Sequence, residues 1–264
     1  MTLRSGTAAD YGIDAPGVLR GMLAAGLGGL ALAVVGVLVA AHGGGWVAAA
    51  ARWVTGAAAL LALYGLGMAA YMTWASRVGK LRRARRLLDW AQATRPWSGD
   101  EVVLDVGCGR GLMLVEAARR LTTGTAVGVD LWRAEDQTDN EPEGALENAR
   151  REGVADRVHV ETGDMRALPC TDETFDVVVS HWAVHNLPDE ADRRRALDEM
   201  LRVLRPGGTL VLADIAHLAE YRAHLASRGL TDIRLDDGGA EARIMGLLTG
   251  GSYRPQALLG RRGA

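Results

Sequence analysis

Cysteine is nearly absent from this chain: Cys108 and Cys170 are the only two in 264 residues. Two cysteines build neither a disulfide framework nor a cysteine-rich metal site, which fits a reducing compartment. Lysine is scarcer still. Lys80 stands alone against a surplus of arginine, alanine and glycine of the kind that GC-rich bacterial coding produces. Neither sign of charge is in excess, since 30 Lys and Arg face 32 Asp and Glu for a formal net charge of −2. With 48% hydrophobic residues, that balance excludes a polybasic nucleic-acid binder and a disordered acidic tail.

Charge is also missing locally. Before residue 77 the charged side chains are Arg4, Asp10, Asp14, Arg20 and Arg52, whereas the remainder has the mixed composition of a soluble protein. Two uncharged runs, 21–41 and 53–75, flank the break His42-Gly43-Gly44-Gly45. Each has about 20 residues, the length that crosses a hydrocarbon core of about 30 Å. A cleaved signal peptide would have one shorter apolar core, and two buried soluble helices with no polar face would need a larger protein around them. Trp53 and Trp74 bracket the second run as interfacial indoles do, and Arg52 can snorkel from its end. Small residues four apart, Gly29/Ala33 and Gly65/Ala69, allow close helix approach.

Six basic residues follow within ten positions: Arg77, Lys80, Arg82, Arg83, Arg85 and Arg86. By the positive-inside rule this end is cytoplasmic, and an even number of spans puts Arg4 and Arg20 on the same side. The expected organisation is a multi-pass plasma-membrane protein with a hairpin at 1–76, a basic linker helix at 77–96 and a cytoplasmic domain at 97–264. Beside a span, anionic lipid accounts for the basic run without a nucleic-acid partner.

After Pro96 the pattern alternates between strand and helix. Strands are expected at 101–107, 125–131, 158–163, 175–180 and 208–214, and helices at 112–121 and 189–204, the latter stopped by Arg205-Pro-Gly-Gly208. Weaker candidates at 231–236 and 256–261 would close the sheet as a final hairpin, with Gly-Gly pairs at 238–239 and 250–251 marking loops. Such alternation specifies an α/β fold with a parallel sheet covered on both faces.

The first strand turns into the first helix through Asp105-Val-Gly107-Cys-Gly109-Arg-Gly111. Glycines there let a ligand approach the backbone, and the helix N-terminus offers unpaired N–H groups. A dinucleotide fingerprint needs a glycine at 112, where Leu112 stands. The motif resembles that of the class I S-adenosylmethionine (SAM)-dependent methyltransferases of the small-molecule type. Four further segments fall in that family's order: Val127-Gly-Val-Asp130, Thr162-Gly-Asp164-Met165, the run from Phe175 through Ser180-His181-Trp182 to Asp189, and Val203-Leu-Arg-Pro-Gly-Gly208. The resemblance covers roughly 97–216 and leaves the apolar runs outside it.

The resemblance implies a Rossmann-like seven-stranded sheet and SAM as cofactor. It implies a cofactor set of Asp105, Gly107, Gly109, Gly111, Asp130, Leu131, Asp164, Met165 and Ser180, with Asp130 on the ribose hydroxyls and Asp164 on the adenine amino group. Asp105 has a second reading, as a cap of the following turn. Cys108 reads as inert packing. His181, His185 and His217 fall at the carboxyl ends of strands, where ligands of such sheets bind. His181 is the leading candidate for a base, with Asp214 next and His185 a third; the bland alternatives put His185 at a helix start and His217 on the surface. About ten extra residues, 132–143, follow the second strand; Trp132 is a candidate for stacking, and Asp136 or Gln137 for holding a polar group.

Methyl transfer from SAM needs in-line alignment and exclusion of water, and no metal. The family's amino-methylating Asn/Asp-Pro-Pro-Tyr/Phe segment is absent where Ser180-His181-Trp182 stands, which disfavours a nucleic-acid substrate. The shortage of cysteine disfavours arsenite. The expected acceptor is a small molecule, and the hairpin suggests a lipophilic one. The alternatives are modification of membrane acyl chains and a tethered SAM binder without turnover.

Overall fold

The structure is a computed structural model and describes residues 9–133 and 139–263. It divides into two compact units, one spanning Gly12–Lys80 and the other containing the rest of the described chain. Arg4, Asp136 and Gln137 lie outside the described residues.

In the first unit, α1 (Pro16–His42) and α2 (Gly45–Trp74) form a hairpin, and a π-helical turn, Ala75–Gly79, follows α2. Both helices exceed their expected apolar cores, and α2 begins eight residues before Trp53, so Trp53 and Arg52 sit within the helix rather than at its end. The packing inverts that of a soluble helix pair. Gly26, Gly29, Ala33 and Gly36 are buried against α2, while Leu27, Leu30, Val34, Val35 and Leu38 are exposed. A Cβ on Gly29 would lie 2.8 Å from the Ala58 carbonyl oxygen, and one on Gly65 would lie 2.7 Å from the Gly26 nitrogen, so small residues set the interhelical distance. At the open end of the hairpin Lys80 Nζ pairs with Asp14 Oδ1 at 2.9 Å, and Ser76 Oγ donates to Asp14 Oδ2 at 3.3 Å. Lys80 was expected to face lipid with the basic run; it is instead buried on a carboxylate.

The second unit opens with α3 (Lys80–Thr94) and continues β1 (Val102–Val106), α4 (Leu112–Ala118), β2 (Thr125–Asp130), α5 (Pro142–Glu152), β3 (Val158–Thr162), β4 (Phe175–His181), α6 (Glu190–Val203), β5 (Leu204–Asp214), α7 (Leu218–Ser227), β6 (Leu230–Asp236), α8 (Gly239–Leu248) and β7 (Gln256–Arg262). The seven strands form one sheet in the order β3-β2-β1-β4-β5-β7-β6. β7 runs antiparallel to both neighbours, so the sheet is mixed rather than parallel throughout.

Alternation along the strands divides the core in two. Val103, Val177, Val179, Val211 and Leu259 pack with Ala84, Leu87, Leu88 and Ala91 of α3 and the apolar sides of α4 and α5. Leu104, Val106, Val178, Leu210, Leu212 and Leu258 pack with α6 and α7. Burial on both faces is why the strands read as unbroken valine and leucine runs. Proline at the first position of α5 and Gly153 at φ 72° beyond its end set that helix's limits.

Two local expectations are corrected. Arg205-Pro-Gly-Gly208 does not separate helix from strand but is a bulged part of β5: Phe175 pairs with Leu204, yet Val177 pairs with Thr209. Gly207 at φ 73° supplies the kink. The final strands are not a plain hairpin, because α8 lies between them, with the two Gly-Gly pairs at its ends.

Candidate active site

The carboxyl ends of β1, β2, β4 and β5 converge where the sheet order changes direction, the usual ligand crevice of an open α/β sheet. Between β1 and α4, Gly107, Gly109 and Gly111 all have positive φ, which residues with a Cβ adopt at a cost. At Gly107 space is a second constraint: a Cβ would come within 2.3 Å of the Ala183 Cβ.

Two carboxylates hold this loop. Asp105, buried at the end of β1, accepts the Leu114 N–H through Oδ2 at 2.9 Å, fastening α4 to the sheet. Burial, then the nearby Asp130 charge, push its carboxyl up to about 8. Asp130 accepts the Gly109 N–H at 2.8 Å through Oδ2 and the Trp132 N–H at 2.7 Å through Oδ1. Oδ2 keeps a second lone pair, so the carboxylate can organise the loop and still accept a hydroxyl. Buried Asn140, which sequence reasoning missed within the long insertion, reaches Asp130 Oδ1 at 3.5 Å and the Arg133 carbonyl at 3.1 Å.

Leu131 follows Asp130 and is exposed. Trp132 adopts φ 58°, and its indole N–H donates to Thr162 Oγ1 at 2.9 Å. Asp164 faces Arg166, with Nη2 to Oδ2 at 2.6 Å, and that guanidinium holds the carboxyl below its usual range. Arg166 also pairs with Asp192 at 2.7 Å. Met165 packs beside the loop, its Cε 3.6 Å from where a Gly107 Cβ would lie. Ser180 is buried within the sheet, its hydroxyl donating to the Val106 carbonyl at 2.8 Å. Burial pushes the Cys108 thiol well up, so this cysteine is an unreactive packing residue.

The three candidate histidines are held differently. The His181 ring stacks on Trp182, centroids 4.9 Å apart. His217 is exposed, at φ 60° just before α7, with Nδ1 3.5 Å from Glu220. His185, in a short 3-10 turn after β4, places Nδ1 2.5 Å from Asp214 Oδ1, and its backbone N–H donates to Asp214 Oδ2 at 3.0 Å. Asp214 is fully buried, also accepting the Ile215 N–H at 2.8 Å, with the Tyr221 hydroxyl 3.4 Å from Oδ2. The ring is thus held through Nδ1.

The Asp130 carboxylate on the glycine loop disfavours a pyrophosphate and suits a cation that carries hydroxyl and amino donors. Residues 104–212 match the family model of the methyltransferase domain. By that match the segment is similar to a methyltransferase domain. The methyltransferase GfsG of Streptomyces halstedii is 40% identical over 118 residues, 45% of this chain and 39% of that protein. A demethylmenaquinone methyltransferase of Symbiobacterium thermophilum is 38% identical over 118 residues, 43% of this chain and 41% of its own length. The chain therefore spans less than half of either relative. Geranyl diphosphate C-methyltransferase from Streptomyces coelicolor A3(2), crystallised with Mg2+, geranyl diphosphate and S-adenosyl-L-homocysteine, shares the fold at TM-score 0.55 and 18% identity, covering 69% of this chain and 79% of that one.

Proposed function

We propose that the protein is a membrane-anchored SAM-dependent methyltransferase acting on a small lipophilic acceptor. The observation that carries the chemistry is the carboxylate-rich glycine loop at the carboxyl edge, with the His185–Asp214 pair after the neighbouring strands. Anchoring rests on two helices long and apolar enough to cross a membrane, with the large apolar side chains outward and the small ones inward. The basic residues after α2 support a cytoplasmic side for the catalytic domain.

Gly107, Gly109 and Gly111 would let the cofactor lie against the backbone, Asp130 would accept the ribose hydroxyls, and the segment Asp164-Met165 would flank adenine. Asp105 would lie under the positive end. Bound there, the cofactor supplies an electrophilic methyl on a sulfonium. His185 takes a proton from the acceptor at Nε2, while Asp214 holds the proton on Nδ1 and stabilises the imidazolium. Ser180 joins β4 to β1 in this reading, and His181 with Trp182 forms a flat wall.

The acceptor class rests on the hairpin and on the relatives' chemistry, since one curated relative is named for demethylmenaquinone and one fold neighbour for geranyl diphosphate. The test is incubation of the full-length protein, reconstituted in bilayers, with methyl-labelled SAM and membrane lipid extract. Label in one extractable small molecule, lost in His185→Ala, is the expected result. Label spread over acyl chains points to acyl modification, and cofactor binding without product points to a tethered SAM binder.

A further inference from the structure

One element at the carboxyl edge has no part in that chemistry. β5 ends at Asp214 opposite Gln256, and β6 ends at Asp236 opposite Ala257, so α8 and the loop after it begin and finish at the same edge as the site. Tyr253 in that loop meets the Trp182 ring edge-on at 5.8 Å. Arg83 lies 4.9 Å from the centroid of Trp182 and pairs with Glu241 of α8 at 3.0 Å. α8 is therefore seated beside the residues that border the acceptor side.

Its inner side buries Ala242, Met245 and Gly246, and its outer side is apolar as well. Ile244 is 58% exposed and Leu247 85%, with Leu248 exposed next to it. The i, i+3, i+4 spacing makes them one ridge. Scattered surface leucines need no explanation, but a contiguous ridge beside a ligand site marks a contact surface.

Charge tells which surface covers it. Arg243 and Arg254 flank the ridge, both exposed, and neither makes an ion pair among the described residues. The neighbouring acids are engaged: Glu241 on Arg83, and Asp236 and Asp237 on the N–H groups of Gly238 and Gly239. An apolar ridge bordered by uncompensated guanidinium groups is the make-up of a helix lying in a bilayer interface, apolar side among the acyl chains and cations at the phosphates.

We propose that α8 docks on an anionic bilayer surface through Ile244, Leu247 and Leu248, with Arg243 and Arg254 on lipid phosphates, so that acceptors enter the site from the membrane. The proposal rests on the reading of the protein as a membrane methyltransferase with a lipophilic acceptor, and it adds the door.

The test uses the full-length chain in vesicles of phosphatidylcholine and phosphatidylglycerol. An environment-sensitive fluorophore is placed on Leu247→Cys in a Cys170→Ser background, and a control on Asp172→Cys, before the amino end of β4. Quenching by lipids spin-labelled on the acyl chain is expected to be several-fold stronger at 247 than at 172. It should weaken when Arg243 and Arg254 are both changed to Glu. Equal quenching of both positions by aqueous iodide would overturn the proposal. So would efficient cross-linking of position 247 between two copies, which makes a second chain the occupant. Labelled-methyl transfer to an extractable lipophilic molecule with position 247 in water removes the door and leaves the functional reading standing. Position 247 in lipid with no such product does the reverse.

Discussion

Nδ1 of His185 lies 2.5 Å from Oδ1 of Asp214, a carboxylate with no solvent exposure that also binds the His185 backbone N–H. Chain and ring are gripped by one side group, so the imidazole cannot swing away when a ligand arrives. Replacing His185 by Ala is expected to lower kcat by about 10²–10⁴, with SAM affinity unchanged, the size usual for loss of a general base. Asp214→Asn cannot satisfy all four donors and should lower kcat more than it raises KM. Steady-state rates beside calorimetric SAM binding check both; loss of binding in His185→Ala would place the residue in the cofactor site instead.

Asp105 makes stability depend on pH in an unusual direction. Its carboxyl, pushed up to about 8 by burial and by Asp130, holds a proton in the folded chain that the unfolded chain releases near its ordinary value of 3.8. Its contribution is therefore complete below that ordinary value and is lost as pH rises toward about 8. Asp105→Asn keeps an acceptor for the Leu114 N–H and should flatten the decline in melting temperature across this window. A cationic ligand above Asp105 favours the carboxylate, so SAM binding near neutral pH should release a proton. Calorimetry in buffers of different ionisation enthalpy measures it.

Two glycines are required by space. A Cβ on Gly107 would meet the Ala183 Cβ at 2.3 Å at a positive φ of 74°, and one on Gly128 would meet Cys108 Sγ at 2.7 Å. Gly128→Ala is expected to cost about 2 kcal/mol by overpacking. Cys108→Ala should recover part of that, because the two positions share one gap. Gly107→Ala should cost at least as much and abolish SAM binding. Denaturant titration and calorimetry separate the effects.

Lys80, the chain's one lysine, joins Asp14 before α1 to the start of α3. Lys80→Met removes this ion pair and is expected to loosen this end of the hairpin, read as faster proteolysis near residues 9–15. Lys80→Arg should restore most of the protection.

Much of the glycine loop was legible because its determinants are contiguous. Asp105 through Gly111 and Val127 through Asp130 each carry a strand end and a turn in a few residues, and local chemistry dictates both. The apolar runs were legible for the same reason, since length and absence of charge suffice. The Arg205-Pro-Gly-Gly208 segment misled because proline and glycine stop helices and also make bulges, and the choice depends on pairing with β4. α8 was missed because glycine at both ends and a short amphipathic run imitate a loop.

Residue order by itself determined the two apolar helices, the alternating strands and helices, and the spacing of the glycines and carboxylates at the strand ends. Folding determined which distant groups meet. His185 and Asp214 are 29 positions apart in the chain and touch because β4 and β5 are parallel neighbours in register. The antiparallel return of β7 likewise brings α8 to the ligand edge. A side chain's neighbours along the chain fix its conformation, but its chemical partner comes from whichever strand lies beside it.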